Sequence, residues 1–190
     1  MIGGTLSSIL DDLPIGMTTL SESRTITEGD LALMNTLIWA TDEPPSTASG
    51  VSESYIPDRL LTGPGLIAVA VGLSRTSRVF QVVGSVTSMH LLITCSVAAT
   101  YREPVHLGDT LTVETSLAGA TLHPELDNVG TLLFHENAHK HSGSPVVEIQ
   151  RRILFDRVAG GEPWDLNTCW SAVRRLRTDA AAPANPTIFS

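Results

Sequence analysis

Apolar residues follow a helical spacing in the first part of the chain and an alternating one in the second. Four of them share one predicted helix face: Leu31, Met34, Leu37 and Ile38. This helix begins at Thr27, whose side chain can cap it. Pro44 and Pro45 require it to end near Asp42, because proline cannot continue a helix.

The next segment, 64–73, is apolar on every side, which is typical of a helix in the middle of a core. A buried parallel strand gives the same pattern. Pro64 favours the helix, because proline suits a first turn and the run is longer than most strands.

The alternating part predicts an antiparallel sheet. Four segments rich in apolar and β-branched residues are separated by turn sequences: 86–99, 111–121, 130–139 and 146–156. A weaker alternation over 17–26 predicts an edge strand. Helix followed by a strand meander indicates an α+β architecture. We expect a leader at 1–16, one domain at 17–157, and an extension at 158–190 with a short helix and a flexible end.

Composition narrows the class of protein. The 190 residues are 42% apolar and only 17% charged, which suggests apolar surface hidden in an oligomer interface. A net charge of −8 argues against a nucleic-acid partner. The longest apolar run is far below the ~20 residues of a membrane span. With two cysteines and no visible secretory signal, we expect a cytoplasmic protein without membrane association.

Several motifs resemble those of MaoC-like hydratases and dehydratases, a hot-dog family. Residues 59–73, Arg-Leu-Leu-Thr-Gly-Pro-Gly and an apolar run ending in Gly-Leu, resemble the start of the family's central helix. Residues 101–113 are similar to its Pro-Val…Gly-Asp-Thr-Leu turn and strand, and 130–147 to the next hairpin. The resemblance covers about residues 20–157 and implies a single hot-dog fold, an antiparallel sheet wrapped around a long central apolar helix.

The family's active site has an Asp, then Asn-Pro, then a His five residues after the Asp. Asp42 matches the aspartate, but Pro44 stands at the Asn position and Thr47 at the His position. Thr62 likewise replaces the His that often precedes the helix glycine. The resemblance implies two catalytic residues, Asp42 and Gly63, and three substrate-binding residues, Thr47, Thr62 and Gly65.

Hydration of an enoyl thioester needs an acid–base group and a polarised carbonyl. A helix starting at Gly63 offers free N–H groups and a positive dipole end; the alternative is that Gly63 and Gly65 only permit a tight turn. Asp42 can exchange protons if it is buried; the alternative is a solvated residue beside a proline turn. His90 or His135 is a candidate to replace the missing imidazole, and we expect neither a metal nor a cofactor.

We therefore expect a hydro-lyase acting on an acyl thioester of CoA or an acyl-carrier protein, in fatty-acid or polyketide metabolism. The family's sites lie at dimer interfaces, which implies a homodimer. A hot-dog thioesterase and a conjugate-addition enzyme are alternatives. The lost His also suits a non-catalytic partner in a heterodimer with a His-bearing homologue.

Overall fold

A computed structural model describes residues 13–37, 60–87, 90–122 and 129–156 of the chain. The extension at 158–190 and most of the leader at 1–16 lie outside the described residues, so the predicted domain boundaries stay predictions. The last part of the leader already contacts the sheet, because Leu13 is buried and the Gly16 N–H donates to the Leu117 carbonyl at 2.8 Å.

The described residues form six strands and three helices around one sheet. In chain order they are β1 Thr18–Leu20, β2 Arg24–Thr25, α1 Glu28–Leu37, α2 Gly63–Ser74, α3 Arg78–Thr87, β3 His90–Tyr101, β4 Thr110–Leu122, β5 Val129–Lys140 and β6 Pro145–Asp156. The sheet order is β1-β4-β5-β6-β3, β2 also pairs with β4, and every pairing is antiparallel. Helix α2 packs on β4, β5 and β6.

This architecture confirms the predicted α+β class, with an antiparallel sheet around an apolar helix. One assignment was wrong: residues 86 and 87, predicted to begin a strand, end α3. The long central helix is also divided, because the chain turns between α2 and α3. Val79, Phe80 and Val83 of α3 are buried at helical spacing.

The predicted Thr27 cap of α1 is confirmed. The Thr27 N–H and hydroxyl donate to Asp30 Oδ2 at 2.9 and 2.8 Å, and the Asp30 N–H points back to Thr27 Oγ1 at 3.4 Å. This reciprocal arrangement satisfies donors at the helix start. The hydrogen bond from the Thr27 backbone is the main reason that the pKa of Asp30 lies below its ordinary value.

Buried polar side chains divide the core into two apolar clusters. The first lies under α2 and includes Leu66, Val69, Val113 and Ile149; the second lies under α3 and includes Val79, Leu117, Phe134 and Phe155. Between them, Thr115, Glu136 and Arg151 occupy inward positions on β4, β5 and β6 and are fully buried or nearly so. The core is therefore interrupted by charge in its middle.

The buried guanidinium of Arg151 also contacts the end of α2. Its Nε donates to Glu136 Oε2 at 3.1 Å, its Nη2 contacts Glu136 Oε1, and Nη2 donates to the Ser74 hydroxyl at 3.1 Å. The same group lies 5.3 Å from the centre of the Phe80 ring. Because Ser74 is the last residue of α2, the polar row meets the helices where the chain bends.

Part of α2 departs from the prediction that the helix lies wholly inside the core. Gly65, Leu66, Val69, Ala70 and Leu73 are buried, but Pro64, Ala68 and Gly72 are exposed on the opposite side. Within the described residues, no single helix is long and apolar enough to span a bilayer, whereas Gly63–Ser74 and Arg78–Gly84 meet that test only together, across a 61° bend.

Candidate active site

Three of the predicted site residues meet at the amino-terminal end of α2. Gly63 begins the helix, Pro64 lies in its first turn, and Thr62 is the N-cap residue. Thr62 has extended backbone angles (φ −64°, ψ 153°), yet its side chain makes no capping hydrogen bond. The first-turn N–H groups therefore lack the usual side-chain acceptor, and they carry the positive end of the helix dipole.

The loop after β3 fixes the position of this helix end. The Leu61 N–H donates to the Val105 carbonyl at 2.9 Å, and Leu60 forms an antiparallel bridge with His106. Leu61 and Val105 are both buried in the cluster under α2. The amino end of α2 is thus anchored to the loop between β3 and β4.

Asp109 holds that loop in shape. Its Oδ2 accepts the His106 N–H at 2.8 Å and lies 2.9 Å from Lys140 Nζ, while Gly108 takes the left-handed turn conformation with φ of +88°. Burial raises the pKa of Asp109, but the His106 N–H and the Lys140 ammonium outweigh it and leave the pKa below its ordinary value.

We expect the protein to lose stability in acid as these carboxylates are protonated. Asp30 and Asp109 have lowered pKa values in the folded state. Their contribution is therefore fully present above the unfolded pKa of about 3.9 and is lost as the pH falls through the folded values. Thermal unfolding followed from pH 7 down to pH 2 should show a Tm that declines most steeply below about pH 4.

Asp109→Asn should flatten this decline, because the variant has one fewer linked carboxylate. Exposed Glu103 lies in the same loop, so Glu103→Gln is the matched control and should leave the decline as in the wild type. A wild-type slope in Asp109→Asn would contradict the assignment.

Tyr101 lies against the first glycine of the helix. A Cβ placed on Gly63 would be 2.9 Å from Tyr101 Oη and 3.0 Å from Cζ, so the phenol covers this glycine. Tyr101 ends β3 opposite Val147 of β6 and is 49% exposed. Sequence reasoning included Tyr101 in a family-like motif without assigning it a role, because its contact with Gly63 joins positions far apart in the chain.

Gly65 has a packing role that explains its lack of a side chain. An added Cβ would lie 3.0 Å from Thr62 Oγ1, 3.1 Å from Leu61 Cδ1 and 3.1 Å from Met34 Cγ. This close fit lets α1 pack beside the start of α2. The predicted contacts of Thr62, Gly63 and Gly65 with substrate stay predictions.

Asp42 and Thr47 lie outside the described residues. Their predicted roles stay predictions.

The structure places His135, one of the two candidates for the missing imidazole, on the outer face of the sheet. Phe134, Glu136 and Ala138 of β5 are buried beneath the helices, so the alternation of the strand places His135 on the outer face. There it lines an open cavity of about 320 Å³ with Asn137, Glu148 and Gln150. The side chain of His90 lies outside the described part of the structure.

Substitution of Gly63 should separate activity from stability. In Gly63→Ala the new methyl must displace the exposed Tyr101 ring, which costs little, so the free energy of unfolding should change by less than ~1 kcal/mol. Turnover of an acyl thioester should fall by about 10²-fold, because a misplacement of ~1 Å in a site has that effect.

Gly84→Ala in α3 is the control for this substitution. Nothing lies within 4 Å of its added Cβ, so it should retain full turnover and gain ~0.5–1 kcal/mol in unfolding free energy. Full turnover in Gly63→Ala would show that the glycine serves only the turn.

Comparison with known proteins identifies the architecture. No family model and no curated protein matches the sequence. The chain superposes on a MaoC-like dehydratase from Rhodospirillum rubrum with a TM-score of 0.54 and 18% identity, over 82% of this chain and 98% of that one. An R-hydratase from Pseudomonas aeruginosa gives 0.50 and 17%, over 82% and 94%. The chain has the hot-dog fold of the MaoC-like dehydratases.

A third match relates this hot dog to a larger arrangement. A double hot-dog protein from Mycobacterium tuberculosis superposes with a TM-score of 0.55 and 20% identity, over 93% of this chain but only 52% of that one. This chain thus corresponds to about half of the double structure. The hot-dog fold and the MaoC-like resemblance drawn from the sequence are both confirmed.

Proposed function

We propose that the protein is a hydro-lyase that adds water to, or removes it from, an acyl thioester of CoA or an acyl-carrier protein. The observation that carries the proposal is the start of α2, where an N-cap threonine leaves the first turn uncapped inside a MaoC-like hot dog. Such an end can receive a carbonyl oxygen on which negative charge develops.

The reaction divides between two groups. The Gly63 N–H donates to the thioester carbonyl oxygen and stabilises the enolate that forms during addition. Asp42 takes one proton from water as the water oxygen bonds to the β-carbon, and the protonated Asp42 carboxyl then gives that proton to the α-carbon of the enolate, so that one water adds across the double bond and the carboxylate is restored. Donors placed in this way contribute about 3–4 kcal/mol to the transition state.

Thr47 has a more limited role than the imidazole that it replaces. Its hydroxyl can hold the water beside Asp42, but it cannot take up a proton near neutral pH as histidine does. Asp42 must therefore carry the proton transfer. Thr62 and Gly65 shape the wall on which the acyl group lies.

The proposal includes a cytoplasmic homodimer. The exposed apolar side of α2, with Ala68 and Gly72, is a surface that a second copy of the chain could cover. Strand β3 offers a second such surface. Within the described residues β3 pairs only with β6, and its Val97 is 45% exposed. The double hot dog of the mycobacterial protein provides a precedent for two such units together.

The decisive experiment is an assay of the purified chain with crotonyl-CoA, octenoyl-CoA and the matching carrier-protein thioesters. Loss of the enoyl absorbance with a mass gain of one water supports the hydro-lyase. Release of free thiol instead supports the thioesterase, which would use the same carbonyl site, and a different adduct mass supports conjugate addition of another nucleophile.

The absence of histidine at position 47 favours one second candidate, a non-catalytic partner subunit. In that case the chain alone would be inactive on every thioester. Activity would appear on mixing with a His-bearing homologue, and a stable heterodimer would elute from size-exclusion chromatography.

A further inference from the structure

The hydroxyl of Tyr101 lies beside Gly63, the residue whose N–H is the backbone donor in the proposed function. An added Cβ on Gly63 would lie 2.9 Å from Oη, which puts the phenol oxygen within van der Waals range of the glycine. The side chain is half exposed, so its hydroxyl is accessible to a ligand that approaches the helix end.

The surrounding strand end is held in place. Tyr101 pairs with Val147, and the next residue, Arg102, donates its N–H to the Val146 carbonyl at 2.9 Å. The Arg102 guanidinium binds Glu148 through two hydrogen bonds of 3.0 and 2.9 Å. The backbone that carries the ring is therefore held against β6, which keeps the phenol at the start of α2.

A second observation at this helix end indicates a site that the protein itself does not satisfy. The Thr62 hydroxyl oxygen is buried and has no hydrogen-bond partner in the described structure, although a threonine at an N-cap normally accepts a first-turn N–H. Buried polar groups without partners are rare in native proteins and point to an additional group at the site.

We propose that the Tyr101 hydroxyl donates a second hydrogen bond to the thioester carbonyl oxygen held by the Gly63 N–H. This inference rests on the proposed function and deepens it by assigning a further substrate-binding and catalytic residue. No proton leaves the phenol; its O–H strengthens its hydrogen bond as charge collects on the carbonyl oxygen.

This assignment gives the tyrosine a different task from that of the missing imidazole. A histidine beside Asp42 would act on the attacking water. Tyr101 acts at the other end of the conjugated system, where two donors stabilise an enolate better than one. The site would thus have strong carbonyl polarisation together with a single proton-transfer group, Asp42.

Tyr101→Phe tests the proposal, because it removes the oxygen and keeps the ring on Gly63. We expect kcat for crotonyl-CoA or octenoyl-CoA to fall about 10²-fold, with a smaller change in KM and an unchanged Tm. Thr100→Val is the matched control: it removes a hydroxyl from the neighbouring, outward-facing position of the same strand and should leave kcat and KM unchanged.

A readout independent of turnover uses saturated thioesters, which cannot be hydrated. The isotope-edited infrared carbonyl band of bound butyryl-CoA or octanoyl-CoA should lie at higher frequency in Tyr101→Phe than in the wild type, because one donor is lost. A purely structural tyrosine would lower Tm and leave this band in place.

The two proposals fail in different ways. If the wild type hydrates no enoyl thioester but its bound carbonyl band still shifts in Tyr101→Phe, the hydro-lyase is refuted and the Tyr101 contact stands. An active wild type with an unchanged Tyr101→Phe band or rate overturns the Tyr101 assignment alone. A wild type that binds neither saturated thioester overturns both.

Discussion

Glu136→Gln should destabilise the protein by about 3–5 kcal/mol, the cost of breaking a fully buried ion pair by removing one partner. The substitution leaves the Arg151 guanidinium charged and enclosed, with both residues at 0% exposure. Water cannot solvate it there, and the Ser74 hydroxyl supplies only one neutral acceptor. The Nη1 of Arg151 already lacks a hydrogen-bond partner in the described structure. The described residues therefore offer the guanidinium no further acceptor to replace the lost carboxylate.

The test is denaturant unfolding of Glu136→Gln and of a double-mutant cycle made of Glu136→Leu, Arg151→Met and their double variant. Arg151→Met should also lose several kcal/mol, because it leaves Glu136 buried without its cation. The double variant Arg151→Met/Glu136→Leu should recover most of the loss, since apolar residues of similar size can replace a buried pair at little cost.

The exposed pair of Arg102 and Glu148 provides the control. Arg102→Met should change the unfolding free energy little, because solvent screens a surface pair. Additive losses at Glu136 and Arg151, with no recovery in the double variant, would show that the two residues are stabilised independently.

Asp42→Asn should lower kcat by about 10²–10⁴, the contribution of one acid–base group, while Tm and thioester binding remain as in the wild type. The amide is nearly isosteric with the carboxylate but cannot accept a proton from water. Because threonine occupies the position of the second proton-transfer group, the motif has no histidine that could compensate.

Glu43→Gln is the control for Asp42→Asn, since it removes a carboxylate from the adjacent position. It should keep most of the wild-type rate. If Asp42→Asn retains the full rate, Asp42 has no part in the reaction, and a comparable loss in both variants would indicate a general effect of local charge.

The sheet could be predicted from the sequence because its strands carry their own pattern. Leu111, Val113 and Leu117 alternate with polar residues, and the structure buries them all. The boundary between α2 and α3 could not be predicted, because it lies where Ser74 meets Arg151, a contact between residues 77 positions apart. The valines of α3 also favoured a strand by composition.

Three of the predicted site residues could be grouped from the sequence because they are close together in it. Thr62, Gly63 and Gly65 adjoin one another at a helix start that proline marks. The role of Tyr101 depends on how β3 ends relative to α2, which no local pattern encodes. The outward position of His135 could not be predicted, because its neighbour Glu136 is charged yet buried.

The polar row across the sheet has a consequence for how this protein can change. The buried side chains of Thr115, Glu136 and Arg151 separate the apolar cluster under α2 from the cluster under α3. Side chains of one cluster therefore pack mainly against other members of the same cluster. The side chains of each cluster can accordingly be substituted without changes in the other cluster. Replacement of Val79 or Val83 on α3 need not alter the packing beside Gly63.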